Sequence, residues 1–563
     1  MKEETPTQPI KLFQNIALTF SGGGYRASSF SLGILSYLNE VQFDSKPLLE
    51  NVKGLSTVSG GTLTGATYAY YVEEGRPFSV FYDHFYNTLD RDELLETALN
   101  KIADDDIWKN SHKKRSLINA FALAYADLLT KGSFDDINQE KSHLEDICFN
   151  ASEFSYGLAF RFQTSGHFGN YRLKNSNLDD LFKQIKLADA IASSSCFPLG
   201  FEPIIMPDDF IEDKSSPDYI TLKANEEFKK GVGLMDGGII DNQGVGSIMN
   251  ANRRRIKNGN PFDLFMICDV GSYFMDPWEP AKLEEDKSIY SMSPKKIYKL
   301  IKEYLKYDWV LYTPMLLGIL VLLAGFIFLP FNLTFIIAGG VIMLGIIAIG
   351  IKKGVDRIEK EILIGWNWLM GKVPDFLKGK LKYFEKIKLR IFKRMLEERM
   401  TSAVKMVSEI FLKQIRRLNY DLLYKDNDLQ NKRITALIYE LTEEQFDHGA
   451  SDEIIKDMKV PRINGPSDAI YDAARIASDM KTTLWFTEDD KEKERLKNLV
   501  SCGQFTACYN LLKYCADLEK AKADVDMKLL RKMKSIFKSD WEKFRDDPYW
   551  LHNSVVMPII KQK

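Results

Sequence analysis

Two short apolar runs that stop abruptly at glycines constrain the fold of this chain most. Ile16–Phe20 ends in Ser21-Gly22-Gly23-Gly24-Tyr25-Arg26, and Gly54–Val58 ends in Ser59-Gly60-Gly61-Thr62. Helical sequence follows each, from Ala27 to about Asn39 and from Thr62 to about Tyr71. A strand turning directly into a helix through residues free to take positive φ is the joint of α/β sheets. Leu158–Thr164, Leu264–Val270 and Arg433–Glu440 read as further strands. The expected fold is α/β, three layers with helices flanking the sheet and the site at the strands' carboxyl ends. Arg91 to Gln139 reads as a largely helical, charged insertion or lid.

Acyl transfer needs a nucleophile, a base and donors for a developing oxyanion. Ser59 lies where a sharp strand-to-helix turn pushes a hydroxyl outward, and the small residues Gly65, Ala66 and Ala69 let the next helix approach a sheet closely. The Gly22-Gly23-Gly24 run offers consecutive N–H groups as an oxyanion nest. Arg26 is placed to meet a phosphate or to hold that loop. The spacing fits neither G-x-G-x-x-G nor a Walker lysine, which argues against a nucleotide site. Asp236-Gly237-Gly238 follows a short apolar stretch and offers a carboxylate base; its other reading is an ordinary hairpin turn. A second frame, Gly54-Leu55-Ser56-Thr57-Val58, makes Ser56 the alternative nucleophile. The six histidines are scattered, and only His167 sits in a glycine-rich turn between the two catalytic segments.

These segments together resemble the patatin-like phospholipase family. Gly22-Gly23-Gly24-Tyr25-Arg26 is similar to its G-G-G-x-[KR] motif, Val58-Ser59-Gly60-Gly61-Thr62 to its serine elbow, and Asp236-Gly237-Gly238 to its D-G-[GA]. Ala190–Pro198 and Leu264–Gly271 resemble the small-residue segment near the site and the strand after the aspartate. One position departs: the elbow is usually G-x-S-x-G, and Thr57 stands at its first glycine. The resemblance implies a Ser59–Asp236 dyad without a histidine and an oxyanion hole at Gly22, Gly23 and Gly24. Arg26, Gly61, Gly237 and Gly238 are then supporting residues. It implies no cofactor and no metal.

Trp309 to Ile351 runs for 43 residues without Asp, Glu, Lys or Arg. As one helix it would extend about 65 Å, twice a hydrocarbon core of about 30 Å. Pro330-Phe331-Asn332 interrupts it, so a transmembrane helical hairpin is expected. Lys295, Lys296, Lys299, Lys302 and Lys306 precede it, and Lys352, Lys353, Arg357 and Lys360 follow it. The positive-inside rule then puts both ends in the cytoplasm. The stretch from Phe376 to Arg394 mixes Phe, Leu and Ile with Lys and Arg, as a helix lying on an anionic leaflet or an oligomerisation helix does.

The domain reading follows: 1–285 the first part of the catalytic domain, 286–308 a basic juxtamembrane segment, 309–351 the hairpin, 352–430 a basic amphipathic segment, 431–519 the rest of the catalytic domain and 520–563 a helical tail. A net charge of −2 argues against a nucleic-acid partner. Six cysteines without a C-x-x-C pair indicate neither zinc nor a disulfide framework. With a polar start and no signal peptide, the catalytic part is expected to face the cytoplasm from a multi-pass position in the inner membrane. The expected partners are membrane phospholipid and the bilayer, with a homo-oligomer left open. The expected activity is hydrolysis of glycerolipid fatty-acyl esters; a transacylase or thioesterase using the same dyad, or a non-catalytic lipid-binding scaffold, are the alternatives.

Overall fold

The computed structural model describes residues 11–109, 111–138, 141–173, 183–198, 200–272, 275, 277–281, 292–293, 295–296, 299, 316–320, 387–446 and 463–560. The chain forms two compact units, Met1–Met275 with Met406–Lys563, and Asp276–Lys405. In the second, a helix spans Leu389–Lys405 with no buried residue. The expected membrane hairpin lies outside the described residues except for 316–320, which are helical. Among the described residues no helix is long and apolar enough to cross a membrane.

The first unit is built on an eight-stranded sheet. Its strands are β1 (Ile16–Phe20), β2 (Val52–Val58), β3 (Asp146–Glu153), β4 (Ala159–Gln163), β5 (Ile204–Met206), β6 (Val232–Asp236), β7 (Leu264–Asp269) and β8 (Arg433–Leu437). They pair in the order β8-β7-β1-β2-β3-β6-β5, with β4 also on β3. The first five are mutually parallel; β4 and β6 run antiparallel to β3, and β5 antiparallel to β6.

Register explains how two distant segments meet. Asn150 pairs with both Val58 of β2 and Arg161 of β4, and Ala151 with both Asp236 of β6 and Phe160 of β4. A strand has only two edges, so β2 and β6 share the one opposite β4 and abut end to end. The residue after Val58 is Ser59, and β6 ends at Asp236. Neighbouring positions on β3 therefore bring Ser59 and the Asp236 carboxylate to one point.

Side chains alternate across the sheet as strand geometry requires. Ile16, Leu18 and Phe20 of β1, with Leu264 and Met266 of β7, join the main core. Ala17, Phe265 and Ile267 face a second core with Ile248 and Leu423. Helices cover both faces. They include α1 (Gly24–Glu40), α2 (Gly60–Glu73), α3 (Leu117–Leu128), α4 (Leu187–Ser195), α5 (Gly238–Asp241), α6 (Val245–Lys257), α7 (Leu412–Tyr424), α8 (Asp468–Ser478), α9 (Arg495–Lys520) and α10 (Met527–Asp546). The span expected as an insertion or lid, Arg91–Gln139, includes α3 and helices at Leu94–Ala103 and Asp105–Lys109.

Two stretches behave differently from their sequence reading. The 520–563 segment, expected as a tail, carries α10, whose Leu530, Met533, Phe537, Trp541 and Phe544 lie in the main core. Their spacing of three and four residues makes one apolar face, and the charges occupy the rest. The end of the 352–430 segment carries α7, which buries Asn419 and Leu423 in the first unit. Close backbone contact joins α1 to α9: a Cβ on Gly33 would come 2.0 Å from the Val500 carbonyl oxygen, and one on Gly503 would come 2.2 Å from that of Phe30.

Candidate active site

Ser59 sits between β2 and α2 with φ 50° and ψ −122°, outside the favoured regions for a residue with a side chain. Close packing on all sides holds that conformation. A Cβ on Gly60 would lie 2.0 Å from the Gly24 carbonyl oxygen, and one on Gly61 2.7 Å from Phe20 Cβ. Gly61 thus supports the elbow by leaving room for β1, and the elbow rests directly on the glycine loop. Gly24 takes φ +56°, and a side chain there would also meet the Thr483 carbonyl oxygen at 2.2 Å. The helices α1 and α2 start at Gly24 and Gly60, so two positive helix ends converge beside Ser59.

The Ser59 hydroxyl lies near enough to the Asp236 carboxylate to favour its charged form. Asp236 is 3% exposed and Ser59 9%. Burial pushes the Asp236 carboxyl up to about 6, against the opposing pull of the Ser59 hydroxyl and the Gly238 N–H. That N–H donates to Oδ1 at 2.7 Å. The Asp236 backbone is held as well: its N–H donates to Cys196 O at 2.9 Å, and its carbonyl accepts the Ser152 hydroxyl at 2.8 Å. The Asp-Gly-Gly segment is not a hairpin turn; Gly237 has helical φ and caps α5. Its glycines serve close approach, since a Cβ on Gly237 would meet the Asn150 carbonyl oxygen at 2.3 Å and one on Gly238 the Asn242 Oδ1 at 2.5 Å.

The glycine loop divides its donors. The Gly22 N–H donates to the Asn242 carbonyl at 3.0 Å and is therefore already engaged. The Gly23 and Gly24 N–H groups have no protein partner among the described residues. A Cβ on Gly22 would come within 3.1 Å of Ser59 Cβ, so the loop lies against Ser59. Arg26 turns away from the site: its Nη1 donates to Met480 O at 2.7 Å and to Ser478 O at 3.4 Å. Burial lowers the guanidinium to about 10, with nearby Asp269 opposing. Arg26 therefore ties α1 to the end of α8 and leaves no guanidinium for a phosphate.

The Thr57 departure has a structural account. Its hydroxyl donates to Thr62 Oγ1 at 3.0 Å, and Thr62 lies 2.8 Å from Ser194 Oγ. Ser194 gives its proton to the Asn150 carbonyl at 2.7 Å and accepts the Ser59 N–H at 2.9 Å, so Thr62 donates to Ser194. A buried hydroxyl chain thus runs from β2 to the backbone N–H of Ser59. The Thr57 methyl fits because position 65 is glycine; a Cβ there would lie 2.5 Å from it. Ser56 is fully buried, donating to Gly244 O at 2.8 Å and accepting from Asn150 Nδ2 at 3.0 Å, which removes it as the nucleophile. His167 is exposed, and no described histidine bonds Ser59 or Asp236.

A polar cluster that sequence reasoning missed holds the neighbouring loops. Asp269, at the end of β7, accepts Gly271 N–H at 2.7 Å, Arg416 Nε at 2.5 Å, Tyr420 hydroxyl at 2.8 Å and Gln243 Nε2 at 3.2 Å. Burial pushes this carboxyl up, but the Arg416 charge and these donors outweigh it and hold it below the usual range. Asp241 accepts Gly246 N–H at 2.6 Å and Asn419 Nδ2 at 2.9 Å. Polar positions on α7 at a spacing of three and four were the available signal. Among the described residues no cluster of His, Cys, Asp or Glu is arranged to hold a metal ion.

The patatin-like phospholipase family model matches residues 18–248, which span both glycine turns, Ser59 and Asp236. The chain carries a patatin-like phospholipase domain, and that family is one of carboxylic ester hydrolases. The match implies serine lipid acyl hydrolase activity and phospholipid substrates. The strands β7 and β8 and the helices α7–α10 lie beyond the matched span. No curated protein matches the chain.

Proposed function

We propose that this protein is a membrane-anchored, phospholipase A-type acyl hydrolase that uses Ser59 and Asp236. The observation that carries the reading is the buried Asp236 carboxylate brought by strand register beside a serine on a positive-φ elbow. A base of pKa about 6 is mostly ionised at neutral pH yet still accepts a proton in the transition state. Ser59 Oγ bonds to the ester carbonyl carbon while its proton passes to Asp236. The Gly23 and Gly24 N–H groups hold the oxyanion. The tetrahedral species collapses, and the leaving alcohol takes the proton from Asp236. Water then attacks the acyl-enzyme, giving its proton to Asp236, and collapse frees the fatty acid and returns the proton to Ser59 Oγ.

The uncharged stretch 309–351 and its basic flanks support a helical hairpin with both ends in the cytoplasm and the hydrolase domain on that side. Tethering raises the effective substrate concentration at the bilayer. The test is fatty-acid release from mixed phospholipid vesicles by wild type, Ser59→Ala and Asp236→Ala. Release by wild type that both variants lose supports the dyad. Release retained by Ser59→Ala overturns it.

A further inference from the structure

We infer that the exposed turns bearing Phe154, Tyr156, Tyr171 and Arg172 form a docking surface for a bilayer with anionic headgroups. This inference rests on the lipid-hydrolase reading above and names the surface through which that site meets its substrate.

Three observations support it. The first is position. β3 runs parallel to β2 and continues past the elbow: Asn150 lies level with Val58, while Phe154 follows the last residue of the strand. The turn therefore projects from the carboxyl edge of the sheet, where Ser59 lies. The second is composition. Phe154 is 64% exposed, Tyr171 66% and Tyr156 47%, and the exposed Arg172 guanidinium lies 5.8 Å from the Tyr156 ring centre and 5.5 Å from that of Tyr171. Aromatic rings beside a cation suit the headgroup region, where rings sit among acyl ends and a guanidinium meets phosphate. The third is rigidity. The buried Glu153 carboxylate accepts the N–H groups of Ser155 at 2.6 Å, Tyr156 at 2.9 Å and Leu158 at 3.0 Å. Asn170 Oδ1 accepts those of Arg172 and Leu173, both at 2.9 Å, and Asn170 Nδ2 reaches Glu153 at 3.4 Å. Two cross-linked turns thus hold apolar rings out into solvent, although those rings contribute little to the core.

The occupant is a bilayer because aromatic rings beside a cation suit its headgroup region, and because β7 ends on this same carboxyl edge at Asp269, where Arg416 of α7 bonds it. The uncharged stretch 309–351 lies between those two points in sequence.

The six native cysteines are all buried, so an added surface cysteine takes a fluorophore selectively. Full-length protein carrying Phe154→Cys, Tyr171→Cys or Asn258→Cys is labelled and reconstituted in phosphatidylcholine–phosphatidylglycerol vesicles. Asn258 is exposed at the opposite, amino edge of the sheet. Brominated acyl chains are expected to quench the labels at 154 and 171 but not at 258. Phe154→Ala/Tyr171→Ala is expected to lower the ratio of vesicle to water-soluble ester turnover about tenfold, as loss of interfacial apolar area does. Equal quenching at all three positions, or none at 154 and 171, overturns the surface. Concentration-dependent protection of position 154 without lipid assigns it to a second copy and also overturns it. Cleavage of a water-soluble ester by wild type but not Ser59→Ala is scored separately, so the hydrolase reading and the surface fail independently.

Discussion

Ser59, Asp236 and the hydroxyl chain behind them define what single side chains contribute. Ser59→Ala and Asp236→Asn are each expected to lower kcat for ester hydrolysis by about 10³-fold or more, measured with a chromogenic ester. Because Asp236 must be ionised to accept a proton, kcat/KM should fall as pH drops through about 6. Stability follows the opposite sign. The folded carboxyl binds its proton more tightly than the unfolded chain does, so between the ordinary aspartate value of 3.8 and about 6 stability falls as pH rises. Asp236→Asn should therefore raise Tm at neutral pH, by an amount equivalent to about 1–3 kcal/mol, while abolishing turnover. A calorimetric scan at several pH values checks both parts. Ser194→Ala leaves the Ser59 N–H without its acceptor, and is expected to cost about 1–3 kcal/mol and to lower kcat more than it changes KM.

Helices and loops set where those side chains stand. α7 supplies Arg416, Asn419 and Tyr420 to the loops that carry Asp241 and Asp269, and the Asn242 carbonyl between them occupies the Gly22 N–H. Arg416→Met removes the guanidinium from a fully buried carboxylate and is expected to destabilise by about 3–5 kcal/mol in chemical denaturation. In wild type the Asp269 carboxyl is held low, so its contribution is present above its unfolded pKa and is lost as pH falls through the folded one. In Arg416→Met the trend reverses and acidification stabilises, which a pH series of unfolding curves detects. Gly60→Ala drives a methyl onto the Gly24 carbonyl and should separate the elbow from the oxyanion loop. Loss of both fold stability and activity is expected, and unchanged unfolding would count against the close contact.

For the whole molecule, the family match stops at residue 248 but the sheet does not. β7 is hydrogen-bonded between β1 and β8, and α9 and α10 complete the main core. A chain ending at residue 248 is expected to lack cooperative unfolding by circular dichroism, because β1 would lose a partner and a core face. Trp541→Ala should cost about 3–5 kcal/mol for the same reason.

The strands expected at Ile16–Phe20 and Leu264–Val270, the helices after both glycine turns, and Ser59 and Asp236 as candidate residues were legible because each depends on a few adjacent residues. Apolar runs, glycines that admit close approach, and a serine at a strand end are local signals. The engaged Gly22 N–H, the inward turn of Arg26, the Thr57–Thr62–Ser194 chain and the Asp269–Arg416 pair were not legible. Each joins positions tens to hundreds of residues apart, and a sequence carries no record of which distant donor faces which acceptor. α10 shows the boundary between the two: its apolar spacing was visible, but what that face covers depended on where the sheet placed β7. Local chemistry thus specified the elements and the reacting groups. The pairing of Val58 and Asp236 with adjacent residues of β3, a long-range matter of register, brought those groups together and buried the carboxylate, which raises its pKa to about 6.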